Sequence, residues 1–150
     1  MDESLADFFR VPFSADMRLA PGTAGVIPVT QDVESSPIML HGPSVGRNNP
    51  WGLRAFQVDE DGMAPLVTRG GVILADLKQN DYRKIKNNEL YVICGDFEEG
   101  QALVRQLEWA GREQDRLAIK AANSIYPTLY RQPREIRVLG RVLLSWRLFD

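Results

Sequence analysis

One arginine stands where a strand should be apolar. In the run QALVRQLEW the side chains of Leu103, Leu107 and Trp109 share a face by the period of two, and Arg105 falls on that same face. A guanidinium there must pair, line a polar cleft, or lay its stem on the face and reach water with its head. Buried without a partner, it costs on the order of 3 to 5 kcal/mol. Spacing alone leaves the buried and the rim readings open. A second stretch, VDEDGMAPLVTRGGVILAD from Val58 to Asp76, reads as a turn followed by a buried strand. Gly62 sits in that turn, and glycine has no side chain that could do chemistry.

Other reactive side chains are isolated. His41 in LHGPS has Ser44 three residues on, but a serine hydrolase needs a base, an orienting acid and oxyanion donors together, and nothing near them supplies the rest. A loop histidine is the plainer reading. Cys94 is the only cysteine, which excludes an intrachain disulfide, and within LYVIC it reads as a small core hydrophobe. One histidine and one cysteine far apart offer no metal-ligand spacing, so neither a metal nor a cofactor is expected.

The elements that must position these residues are strands. With 150 residues and 44% hydrophobic content the chain suits one compact domain, and its formal net charge of −2 gives no footprint for unspecific phosphate binding. The start, MDESLADFFRVPF, lacks both the basic flank and the apolar run of a signal peptide or membrane span, and a cytoplasmic protein is expected. SLADFF is the one helix-like stretch, too short to stand alone. Residues 1–50, rich in Pro, Gly, Ser and Asn from Ala15 on, read as a linker and irregular arm with one or two short strands. From Trp51 to Asp150, β-branched and aromatic runs separated by turn formers predict an antiparallel, mainly β body. Val72–Ala75 and Leu90–Cys94 should be buried on both faces, QALVRQLEW and the last strand on one. On that last strand Ile136, Val138, Val142, Leu144 and Trp146 are the expected core face. Arg137, Leu139, Arg141, Leu143 and Arg147 are the opposite face, either solvated or an interface.

From Phe56 onward these motifs resemble the C-terminal domain of LexA-like and phage repressors, a family of self-cleaving serine peptidases that includes UmuD and is related in fold to signal peptidase. DGMAP, Asp61 to Pro65, is similar to the family's Asp-Ser-Met-x-Pro turn except at the serine. GGVILAD, Gly70 to Asp76, resembles its Gly-Asp-x-Val-Leu-Val-Asp strand, with Gly71 for the first Asp. VRQL, Val104 to Leu107, resembles Val-Lys-Arg-Leu, which sets Arg105 at the lysine; NSIYP, Asn123 to Pro127, and LGRVLLSWR, Leu139 to Arg147, follow in the family's order. The resemblance implies a LexA/signal-peptidase-like antiparallel β fold and a cleft bordered by Asp61, Met63 and Pro65. It also implies a dyad that is degenerate at both positions, Gly62 and Arg105.

A lysine of depressed pKa can serve as the base for a serine, but an arginine keeps its proton and cannot. Arg105 is then expected to fill the cleft and pair with a carboxylate, Asp61 being one candidate. The family cuts itself at a small-residue pair ahead of the serine; Ala24-Gly25 resembles such a pair, and a plain flexible linker is the alternative. The implied function is an inactive dimerisation and regulatory domain of a transcriptional repressor. It would be a homodimer, with Arg137, Leu139, Arg141 and Leu143 as candidate interface residues. Operator DNA would be read through a helix-turn-helix preceding Met1, and an antirepressor or peptide ligand would release it, with no membrane role. The alternatives are a Ser-Lys peptidase inactivated by substitution at Gly62 and a stand-alone protein-binding adaptor.

Overall fold

A computed structural model describes residues 8–11, 13–14, 38–42, 46, 51–95 and 102–146. Ten strands are present among them: β1 (Phe8–Val11), β2 (Phe13–Ser14), β3 (Ile38–His41), β4 (Leu53–Gln57), β5 (Val72–Asp76), β6 (Glu89–Gly95), β7 (Leu103–Ala110), β8 (Arg116–Lys120), β9 (Leu129–Arg131) and β10 (Ile136–Trp146). Eight form one sheet in the order β2-β4-β5-β10-β6-β7-β8-β9, and β1 pairs with β3 in a second. All pairings are antiparallel except β2 with β4. No helix among the described residues is long and apolar enough to cross a membrane.

The continuous apolar runs take the central places. Every residue of β5 is buried, as are Tyr91 to Cys94 of β6, because β10 lies between these strands in the sheet and side chains pack on both faces. Phe56, Ile73, Val92 and Val104 belong to one core cluster, and Ile93, Leu107, Leu117 and Ile119 to another.

Two expectations from the sequence are corrected. Phe8 and Phe9, read as the end of a helix-like stretch, belong to β1, whose partner β3 lies far along the chain; Val11 of the same strand is completely buried against Leu53 and Leu74. The simple alternation expected of β7 and β10 also fails. Leu103, Val104 and Arg105 are buried in succession. In β10 the register shifts between Val138 and Gly140, and again between Val142 and Leu144. Each irregularity breaks the period of two, so Leu139 turns into the core beside Val142. Gly140 permits the close approach: a Cβ there would lie 2.6 Å from the Asp76 carbonyl oxygen.

Candidate functional site

The turn between β4 and β5 is a closed loop. Val58 donates its N–H to the Gly71 carbonyl at 2.8 Å, and Gly70 returns a bond to the Val58 carbonyl at 2.8 Å, so the ends of the loop are pinned together. Met63 and Val67 anchor it from inside, both buried in the core beside Phe56, with Val67 N–H donating to the Met63 carbonyl. Asp59 and Arg69 pair across its exposed side. This anchoring fixes residues 60 to 62 against β7.

Arg105 is buried, and its partner is Glu60 rather than Asp61. Nη1 of Arg105 lies 2.8 Å from Glu60 Oε1, with both side chains about nine-tenths buried. The same Oε1 accepts from the Gly62 N–H at 2.9 Å, while Oε2 accepts from the Val104 N–H at 3.0 Å. Arg105 Nη1 also donates to the Val104 carbonyl at 2.8 Å. The reason lies in the sheet: β8 pairs with β7 only from Gln106 to Ala110, so it does not reach Val104. The ion pair takes the two backbone groups that a longer β8 would have bonded.

Gly62 and Arg105 share one space. A Cβ at position 62 would fall 2.2 Å from Arg105 Nη1, 2.3 Å from Cζ and 2.4 Å from Nη2. The glycine is buried, and its backbone needs no left-handed geometry, so what requires a glycine there is the guanidinium. The rim reading of Arg105 is excluded by its burial.

A second, outer layer covers this pair. The β8–β9 connection folds back on the turn: Asn123 N–H donates to the Gly62 carbonyl at 3.0 Å, and its side-chain amide donates to the Asp61 carbonyl at 3.1 Å. Tyr126 donates its hydroxyl to Asp61 Oδ1 at 2.5 Å. The Arg105 guanidinium carbon lies 5.5 Å from the Tyr126 ring centre, within cation–π range. The Tyr126 hydrogen bond, more than any other influence, holds the Asp61 carboxyl below its ordinary range, and the same bond pushes the Tyr126 phenol up.

The remaining expected residues are scattered. Of the expected cleft residues, Met63 is buried in the core and Pro65 is exposed. Ala24, Gly25, Ser44 and Arg147 lie outside the described residues. His41 stacks at a tilt on Phe8, 5.0 Å between ring centres. Burial pushes the Cys94 thiol up, away from reactivity. Of the four interface candidates, Arg137 is exposed, Leu139 is buried, Leu143 is half-buried, and Arg141 donates to Gln79 at 2.7 Å and lies 3.8 Å from Glu89. They do not form the single free face that alternation predicts. Glu60 was not singled out by the sequence, and Asn123 and Tyr126 were marked only as part of the NSIYP motif, with no role attached. Glu60 had a signal in retrospect, since an apolar-face arginine demands a carboxylate and Asp61 is preceded by two more acids, Asp59 and Glu60.

The scaffold is a mainly antiparallel β fold that holds the β4–β5 turn against a basic residue of β7. The sequence model of the Peptidase S24-like family matches residues 23–143, and the chain belongs to that family. A search of curated proteins finds no match.

Proposed function

We propose that this chain is a catalytically inactive member of its family, serving as the dimerisation and regulatory domain of a LexA-like or phage-type transcriptional repressor. One observation carries the inactive part: the guanidinium of Arg105 occupies the volume into which any side chain at position 62 would project. Glycine supplies no nucleophile, and an arginine bound to a carboxylate supplies no base. The same geometry weighs against a peptidase silenced by a single substitution at Gly62, because a serine there requires Arg105 to withdraw. In this reading DNA is contacted by a separate helix-turn-helix, and pairing two such readers raises their effective concentration on a palindromic operator. Release comes from an antirepressor or peptide acting on the surface over Asp61 and Tyr126, since the Arg105 guanidinium occupies the space at Gly62 beneath.

Two measurements test this. Incubation at neutral and alkaline pH with products weighed by mass spectrometry is expected to return the intact chain; a fragment ending near Ala24-Gly25 overturns the inactive reading. Sedimentation equilibrium is expected to show a concentration-dependent dimer. A monomer at every accessible concentration overturns the pairing role.

A further inference from the structure

Three donors converge on one carboxylate. The Gly62 N–H and the Arg105 guanidinium meet Oε1 of Glu60 at 2.9 and 2.8 Å, and the Val104 N–H meets Oε2 at 3.0 Å. Each donor is held by something other than Glu60. Gly62 is fixed through its carbonyl by Asn123, Val104 by its place opposite Val92 in the β6–β7 ladder, and Arg105 by the Val104 carbonyl and the Tyr126 ring. A donor set held by the β8–β9 connection and the β6–β7 ladder does not depend on its ligand for its shape.

We propose that Gly62, Val104 and Arg105 form a carboxylate-binding cradle, with Glu60 as its built-in occupant and a carboxylate supplied from another molecule as the ligand it takes once Glu60 is removed. The chemistry fits the class closely: two oxygens are divided among two backbone donors and one cation, and charge-assisted bonds of this kind select an anion over a neutral amide. The proposal deepens the inactive reading above and rests on it for its meaning. In serine peptidases the N–H at the nucleophile position is an oxyanion donor that must be free when the reaction begins. Here the corresponding N–H holds a permanent anion, so the site has become a receptor for carboxylate.

The test replaces Glu60 with alanine and supplies the missing piece as acetate, which matches the CH2–COO⁻ group that the substitution deletes. Glu60→Ala is expected to melt below the native chain and to recover saturably with acetate at constant ionic strength. A ligand that binds only the folded state raises the folding equilibrium about a hundredfold at a hundred times its dissociation constant. Acetamide, equal in shape but neutral, should leave the variant unmoved, and acetate should leave both the native chain and the Glu60→Ala, Arg105→Ala double variant unmoved. Equal recovery with acetamide, or an equal shift of the native chain, overturns the proposal. If Glu60→Ala does not fold in chloride, refolding from denaturant into acetate reads the same equilibrium, and failure to refold there overturns the cradle. None of these outcomes changes the mass-spectrometric result, so the cradle and the inactive reading fail separately.

Discussion

Glu60 and Asp61 are neighbours in sequence and opposites in structure. Glu60 points inward, is about nine-tenths buried and meets a guanidinium and two backbone N–H groups; Asp61 points outward and meets one phenol and solvent. Successive side chains of an extended segment face opposite ways, so one step along the chain moves a carboxylate from core to surface. The contrast shows where this site keeps its strength. Removing either partner of a buried ion pair strands a charge, whereas an exposed carboxylate that loses its hydrogen bond is resolvated by water.

The largest effect should therefore come from the inner layer. Arg105→Ala leaves Glu60 buried with two neutral donors, and denaturant unfolding is expected to show a loss of about 3 to 5 kcal/mol. Glu60→Ala should fall in the same range, because it strands the guanidinium. If both variants unfold at the native midpoint, the inner pair contributes nothing to the stability of the fold.

The next effect concerns the shared volume. Gly62→Ala forces a methyl into the guanidinium and is expected to cost about 1 to 3 kcal/mol, as overpacked cores do. The sharper measurement is the double-mutant cycle. In an Arg105→Ala background the obstacle is gone, so the same Gly62→Ala change should cost almost nothing, leaving a coupling energy comparable to its single cost. Simple additivity would mean that Gly62 is required by something other than Arg105.

The sequence carried the body of this fold and half of the site. Val72–Ala75 and Leu90–Cys94, apart from the half-buried Leu90, were legible as doubly buried strands because an unbroken apolar run has no exposed face to alternate with. Arg105 was legible as an anomaly because a charge on an apolar face is costly wherever the strand lies. Its partner was not legible, since Glu60 is 45 residues away in sequence and only the packing of the turn on β7 brings them together. Leu139 was misplaced for a different reason. The period of two assigns faces only while register holds, and the shift between Val138 and Gly140 is set by the neighbouring strands rather than by local composition. Phe8 and Phe9 show the same limit, since two aromatics suit a helix end or a strand and the distant β3 decides between them.

The smallest effect lies in the outer layer and is best read by pH. The Asp61 carboxyl, ordinarily near 3.8, is held lower in the folded protein, chiefly by the Tyr126 hydroxyl. Its contribution to stability is therefore present above the ordinary value and is lost as pH falls through the depressed one. The Tyr126 phenol, ordinarily near 10.0, is raised, first by its bond to Asp61. Its contribution is complete below the ordinary value and is lost as pH rises through the raised one. The latch on the β8–β9 connection thus opens at both extremes and stays shut between them. Spectrophotometric titration should show the Tyr126 phenol ionising above its ordinary range. Tyr126→Phe should remove that step, and Asp61→Asn should bring it back toward the ordinary range. Because both groups face solvent, neither change should move the denaturant midpoint as far as Arg105→Ala does. A midpoint shift as large as that one would place the strength of the site in its outer layer instead.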